Sequence, residues 1–179
     1  METRKLEKNI FSVLALITVI TLTSESAFSQ VFDKGVKQAN LGIGFGGGYG
    51  TGSTSPAISG SFEVGVTDKI GVGGIVGYQS STYDYGFGSY SYTYLIFGAR
   101  GSYHFYETDN VDVYGGAMLG YQNVSVSSTG STFGAAASSS GIVIGLYLGG
   151  RYMFSENIGA FAELGYSISI FSVGLTAKF

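Results

Sequence analysis

The strongest constraint on the fold is the alternation in the stretch SGIVIGLYLGGRYMF, from Ser140 to Phe154. Successive side chains of a β-strand point to opposite faces, so the even-numbered apolar residues share one face. Glycines, Tyr147 and the charged Arg151 share the other face. Two structures fit this pattern: a soluble sheet with its apolar face in a core, or a membrane barrel with that face in lipid.

The N-terminus has the layout of a secretory signal peptide. Basic residues precede an apolar run from Ile10 to Leu22, and small residues then precede Gln30 at the spacing of a cleavage site. The run is shorter than the roughly 20 residues that a membrane-spanning helix needs. We expect residues 1–29 to be a cleaved signal peptide and residues 30–179 to be the mature domain, with an uncleaved anchor as the alternative.

The composition excludes several classes of protein. Only 12% of the residues are charged, against about 25% in a typical soluble domain. The chain has no cysteine, which excludes a disulfide framework, a thiolate metal site and a lipid-modified N-terminal cysteine. It also has no basic patch, so we expect no nucleic-acid partner.

Polar clusters divide the mature sequence into segments joined by alternating short and long connections. Thr67–Lys69, Glu107–Asn110 and Ser155–Asn157 predict tight turns, with longer Ser/Gly/Tyr-rich stretches between them, including Ser80–Ser89. Outer-membrane barrels show this asymmetry and have at least about eight strands. The sequence therefore predicts an all-β fold, an eight-stranded antiparallel up-and-down transmembrane β-barrel. The predicted strands lie near residues 40–50, 57–66, 70–79, 90–105, 111–126, 140–154, 158–166 and 171–179, with the last connection near 167–170.

One face of every predicted strand is apolar and carries no charge. Aromatic residues mark its ends: Tyr78, Tyr121 and Tyr166 lie toward the long connections, as an interfacial girdle requires. The opposite face is rich in glycine and holds the charged residues of the strands. Because the bore of an eight-stranded barrel is just filled by side chains, we expect the apolar face to meet lipid and the charges to lie inside.

Four charged residues are predicted to form a structural salt-bridge network in the bore. Glu63, Arg100, Arg151 and Glu163 all project inward, and charges at membrane depth are tolerated only when they find partners. We expect Arg151 to pair with Glu163 on the next strand. The network would plug the bore; the alternative is a gate or conduction path.

No catalytic, cofactor or metal site is predicted. His104 is the only histidine, it falls near a short turn, and no cysteine is available to complete a transition-metal site. The pattern G-x-G-x-x-G at Gly42–Gly47 lies along a strand, whereas a dinucleotide site needs a strand-turn-helix setting. We therefore do not expect an enzyme.

The stretch STYDYGFGSYSYTY, Ser81–Tyr94, alternates tyrosine with small polar residues. It predicts a hairpin that continues beyond the membrane, whose Tyr83–Tyr90 loop could bind an extracellular protein or surface ligand by strand addition. The alternative is a pair of strands that ends in ordinary interfacial tyrosines.

Several stretches resemble small outer-membrane β-barrel proteins, particularly those of the Bacteroidota. They are GARGSYHF at Gly98–Phe105, YGGAMLGY at Tyr114–Tyr121 and the ending VGLTAKF, and they are also similar to outer-membrane protein X and the transmembrane domain of outer-membrane protein A. The resemblance implies residence in the cell outer membrane, contact with its lipid, and insertion by the barrel-assembly machinery. The residues that match the terminal assembly signal are Ser172, Gly174, Ala177 and Phe179.

The sequence thus predicts a monomeric outer-membrane barrel with a structural or adhesion-like surface role. A narrow pore or small-molecule conduit is the main alternative. A soluble barrel of lipocalin type would need a charged outer face, and a lipid-modifying enzyme would need a histidine at the outer rim; the sequence has neither.

Overall fold

The computed structural model describes residues 30–46, 53–85, 88–130, 138–166 and 168–179. The predicted signal peptide lies outside these residues. The described part of the chain contains no helix that is long and apolar enough to span a membrane. Its strands are β1 (Lys37–Phe45), β2 (Ser53–Thr54), β3 (Ala57–Gly65), β4 (Ile70–Tyr85), β5 (Gly88–Glu107), β6 (Val111–Gly130), β7 (Ser138–Met153), β8 (Ile158–Tyr166) and β9 (Phe171–Lys178).

The strands form one closed antiparallel sheet. β1 pairs with β3 on one side and with β9 on the other, so the first and last strands meet. From β3 to β9 each strand pairs with the next along the chain, and the two-residue β2 only extends the edge of β4. The eight long strands therefore form an up-and-down barrel, which confirms the predicted fold.

The strand boundaries differ from the prediction mainly at one hairpin. Ser80–Ser89, predicted as a long connection, belongs largely to strands, because β4 continues to Tyr85 and β5 begins at Gly88. Alternating tyrosine with serine and threonine suits paired strands, and Ser81–Tyr85 pair with Gly88–Tyr92. β1 begins at Lys37, earlier than predicted, and the last connection falls at 167–170 as predicted.

The outer surface of the barrel is apolar, as the alternation predicts. Ile144 and Leu148 are 67% and 52% exposed, whereas Arg151 is 2% exposed. This arrangement is the inverse of a soluble barrel. On β4 the apolar band runs from Ile70 to Tyr78, which at about 3.3 Å per residue and a tilt near 40° spans roughly 20–25 Å, the height of the lipid-facing band in outer-membrane barrels.

Beyond this band the outer face changes to hydroxyl-bearing side chains. Ser80, Thr93 and Ser125 are direct neighbours across β4, β5 and β6, and the next row holds Thr82 and Ser91, whose hydroxyls lie 3.2 Å apart. Hydroxyl groups need water or hydrogen-bond partners, which hydrocarbon does not supply. The change therefore marks the level at which these strands leave an apolar environment.

A small apolar cluster closes the bore at its long-loop end, the end opposite the short turns. Ile168, from the connection between β8 and β9, packs against Ala57, Ile96 and Met118 inside the barrel. Gly77 on β4 makes room for it, since a Cβ there would overlap the Ile168 side chain. Apolar side chains thus fill the end of the bore that the charged residues do not reach.

The apolar band predicts a depth-dependent cost for charge on the outer face. In phospholipid bilayers we expect Leu148→Arg, near the middle of the band, to lower the free energy of unfolding by about 2–4 kcal/mol, and Ile142→Arg, next to the hydroxyl rows, by about 1 kcal/mol or less. Reversible urea unfolding of both variants measures the difference. Equal destabilisation would contradict the assignment of this band to lipid.

Candidate functional site

Two groups of ionic side chains occupy the bore, and both are built from strands distant in sequence. Because inward positions alternate along each strand, β5 contributes Arg100 and His104 and β6 contributes Asp112 and Tyr114. The first group, the Arg151 ring, is formed by Glu63, His104, Asp112 and Arg151. The second, the Arg100 cluster, is formed by Arg100, Tyr114, Tyr147 and Glu163.

The Arg151 ring is a closed circuit of alternating charge. Arg151 Nη1 donates to Asp112 Oδ2 and Nη2 donates to Glu63 Oε2, each over 2.8 Å. His104 lies on the far side of the same two carboxylates, with Nδ1 2.7 Å from Asp112 Oδ1 and Nε2 3.4 Å from Glu63 Oε1. All four side chains are buried, so each charge depends on its neighbours rather than on water.

The geometry around His104 is satisfied by its protonated form. A neutral imidazole carries one N–H and can donate to one acceptor only, whereas an ionised carboxylate is an acceptor without a proton to give. Both ring nitrogens of His104 face carboxylate oxygens. The imidazolium donates to both, and it balances the second acid of a ring that otherwise holds one arginine for two carboxylates.

The Arg100 cluster joins β5, β6, β7 and β8. Arg100 Nη2 donates to Glu163 Oε1 over 2.7 Å, and the Tyr114 hydroxyl donates to the same oxygen over 2.8 Å. The Arg100 guanidinium also lies 4.0 Å above the ring of Tyr147, and its Nε donates to the Tyr147 hydroxyl. Stacking and hydrogen bonds together replace the water that the guanidinium loses.

Tyr114 connects the two ionic groups, and two inward glycines make room for their side chains. The Arg151 guanidinium lies 4.0 Å above the ring of Tyr114, whose hydroxyl reaches Glu163 in the other group. A Cβ at Gly71 would overlap the carboxylate of Glu63, and a Cβ at Gly149 would lie 2.7–2.8 Å from Tyr114 and Glu163. Inward glycines therefore provide the space that these long side chains fill.

The four charged residues singled out in the sequence all lie in the bore and all form ion pairs. The expected pair of Arg151 with Glu163 is wrong: the residue beside Glu163 on β7 is Gly149, and Arg151 lies beside Asp112 on β6. The sequence-based network also missed Asp112, His104, Tyr114 and Tyr147. A signal for Asp112 was available, since it faces inward and its strand follows the one that bears His104.

His104, Glu107 and Asp112 also have the spacing of metal ligands, with donor atoms within 4.8 Å of one another. A register shift between His104 and Tyr106 turns Glu107 toward this group. However, His104 and Asp112 bond each other, and Asp112 also accepts from Arg151. The observed chemistry of His104 and Asp112 is therefore mutual neutralisation within the protein.

The residues of the terminal assembly signal lie along β9, where the barrel closes. Ser172 exchanges a 2.6 Å hydrogen bond with Ser169, and Gly174 lies against the backbone of Leu41 on β1, where a Cβ would overlap the Leu41 carbonyl oxygen. Ala177 pairs with Ala39, and the Phe179 ring lies 6.2 Å from that of Phe62. Recognition of these residues by the assembly machinery stays a prediction.

Comparison with known proteins identifies the fold only. No protein-family model matches the sequence, and no curated protein matches it. Among solved structures, the chain resembles the attachment invasion locus protein Ail of Yersinia pestis, with a TM-score of 0.53, 17% identity, and coverage of 81% of this chain and 96% of Ail. It also resembles the outer-membrane protein OprG of Pseudomonas aeruginosa, with a TM-score of 0.56, 12% identity, and coverage of 83% of this chain and 97% of OprG. A third similar structure is Neisserial surface protein A, with a TM-score of 0.50, 21% identity, and coverage of 80% of this chain and 96% of that protein. The fold is therefore that of the small outer-membrane β-barrels.

The Arg151 ring predicts a large cost for removing its arginine. Arg151→Met leaves Glu63 and Asp112 facing each other across one imidazolium, and we expect the free energy of unfolding to fall by about 3–5 kcal/mol. Arg100→Met should cost less, because Glu163 is partly exposed and keeps the Tyr114 hydroxyl. Urea unfolding in detergent or lipid compares the variants; an equal or smaller loss for Arg151→Met would contradict the ring.

Proposed function

We propose that this protein is a monomeric outer-membrane barrel with a closed bore, whose protruding β4–β5 hairpin binds another protein at the cell surface. The observation that carries the proposal is the length of four adjacent strands. β5 and β6 each have 20 residues and β4 and β7 each have 16, whereas β1, β3 and β8 have nine. Crossing a membrane takes about 9–11 residues, so the excess length serves something other than crossing.

The excess length forms a sheet on one side of the barrel. Beyond the pair Tyr78–Leu95, β4 continues to Tyr85 and β5 pairs with β6 as far as Gly130, which at about 3.3 Å per residue extends the sheet by roughly 20 Å. Within the described residues, the end of β4 from Tyr83 to Tyr85 pairs with β5 alone, so the hairpin has a free edge, and β6 from Val126 to Gly130 likewise pairs with β5 alone. A strand with one unpaired edge can accept a strand from another chain.

The tyrosines of the hairpin support binding over an interfacial role. Tyr90, Tyr92 and Tyr94 alternate with the outward-facing Ser91 and Thr93, so they lie on the face that continues the bore rather than on the face toward lipid headgroups. Tyr94 is buried, so the tyrosines that can contact a partner are Tyr90 and Tyr92, which are partly exposed. Tyrosine supplies a large contact area at low entropic cost together with a hydroxyl group, which favours it in binding surfaces.

Charge argues against one class of ligand for this surface. Ail was solved with the heparin analogue sucrose octasulfate, a polyanion that cationic side chains would attract. In this chain the segments at the long-loop end, residues 46–56, 79–94, 122–143 and 166–171, contain a single charged residue, Asp84. A polypeptide surface without strong charge therefore fits the hairpin better than a sulfated saccharide.

Export and membrane insertion complete the proposal. Cleavage of residues 1–29 would release a chain that starts at Gln30, and the terminal residues Ser172, Gly174, Ala177 and Phe179 would direct it to the barrel-assembly machinery. The apolar band would then contact outer-membrane lipid, with the short turns in the periplasm and the hairpin outside the cell. No catalytic activity is proposed.

The side chains that fill the bore argue against a pore, which is the main alternative function. Two ionic groups and the Ile168 cluster lie in series along it, and nearly all their side chains are buried. An eight-stranded barrel has space for side chains and little else.

Shortening the hairpin tests the surface role. Thr82 and Ser91 are direct partners, so replacing Tyr83–Tyr90 by Asn-Gly should close a two-residue turn without disturbing the barrel. We expect adhesion of cells that display this variant to fall by about tenfold or more, while Tyr166→Phe, which alters an exposed tyrosine on the outer face, leaves adhesion unchanged. Heat-modified mobility on gels verifies folding; full adhesion by a folded shortened variant would exclude the hairpin.

The filled bore predicts that the protein does not conduct ions. In planar bilayers we expect no stable current steps from the wild-type barrel, nor from Arg100→Ala, because the Arg151 ring and the Ile168 cluster still occupy the bore. Stable ohmic steps from the wild-type protein would favour the conduit.

A further inference from the structure

Residues 30–36, before the first strand, fold back into the barrel. They belong to no strand, yet Val31 and Phe32 are 0% exposed. The segment enters at the short-turn end, opposite the Ile168 cluster, because its neighbours are Gly65 at the end of β3 and His104 near the end of β5.

Phe32 covers the Arg151 ring. Its ring stacks on the His104 imidazole with the centroids 3.4 Å apart and the planes 7° from parallel. The ring electrons of phenylalanine attract a cation over their face, and the geometry of His104 is that of an imidazolium. Phe32 therefore separates the charged ring from the water at this end while making a favourable contact with it.

Hydrogen bonds from three strands hold the backbone of the segment. Gln38 Nε2 on β1 donates to the Val31 carbonyl over 2.9 Å, and Lys178 Nζ on β9 donates to the Gln30 carbonyl over 3.0 Å. The Gly35 amide donates to the Gly65 carbonyl on β3 over 2.9 Å. Together with the contact to β5, these bonds span the seam at which β1 and β9 close the barrel.

Two glycines allow the backbone of residues 30–36 to turn and to lie against the barrel wall. Gly35 has a φ of 87°, a left-handed conformation that turns the chain back toward β1 and that glycine adopts without steric cost. A Cβ at Gly65 would overlap the Asp33 carbonyl oxygen. The barrel wall is thus shaped to accept this backbone.

We propose that residues 30–36 are a plug that closes the short-turn end of the bore and keeps water from the Arg151 ring. Ion pairs weaken when water reaches them, so the plug strengthens the ring that holds β3, β5, β6 and β7 together. With the Ile168 cluster at the other end, the bore is closed by apolar side chains at both mouths. The plug is a property of the folded barrel in detergent, so its test does not depend on the proposed surface role.

Because the chain has no cysteine, an introduced thiol can report on the plug by itself. Val31→Cys places the thiol in the buried part of the plug, and Lys34→Cys places it at an exposed position of the same segment. In the folded protein in detergent, a charged maleimide should label Val31→Cys about 100-fold more slowly than Lys34→Cys. Labelling of the buried thiol requires residues 30–36 to detach from the barrel by local unfolding. Equal rates would overturn the proposal.

A second substitution tests the role of Phe32. Adding Phe32→Ala to Val31→Cys should raise the labelling rate by about 10- to 100-fold, the effect of losing one buried aromatic ring. Adding Phe45→Ala, an aromatic on the outer face of β1, should leave the rate unchanged. An unchanged rate with Phe32→Ala in a protein that folds would also overturn the proposal, and if this variant does not fold, the comparison of the two single cysteines still decides.

Discussion

The pairing of β1 with β9 is the interaction on which the rest of the structure depends. Every backbone amide and carbonyl within hydrocarbon needs a partner, and only a sheet without edges provides one for each strand. Closure then fixes what each face must carry, since outward side chains meet lipid and inward ones meet a bore of limited volume. The apolar band and the inward glycines both follow from that single seam.

Closure also makes the inward charges stabilising only as a set. A single ionised group in the bore would be very costly, and an isolated pair would be marginal. In the Arg151 ring each carboxylate accepts from both cations, so no charge relies on one partner. Phe32 and Ile168 limit the access of water from the two ends, and the two ionic groups between them join five of the eight long strands: β3, β5, β6, β7 and β8.

The fold was predictable because alternation is a local property of the sequence. The series from Ile142 to Leu148 shows which side faces lipid, and the position of Arg151 between apolar neighbours shows that charge faces inward. The identity of its partners was not predictable in the same way, because the guanidinium reaches across the bore to Glu63, 88 positions away in the sequence. Register gives neighbours along the wall, whereas contacts across a narrow bore depend on side-chain length and on where glycine leaves space. The fold of residues 30–36 escaped prediction because they have no periodicity at all.

β5 and β6 are the two longest strands, and together with β7 they supply residues to both ionic groups. A partner that pulled on the external sheet would therefore load these two strands along their length, in the direction in which their paired hydrogen bonds share the force. The tension would reach Arg100, His104 and Asp112 before it reached the turns. Under the proposed surface role, the resistance of an attached cell to being pulled from its partner would then depend on ion pairs deep in the barrel, far from the surface of contact.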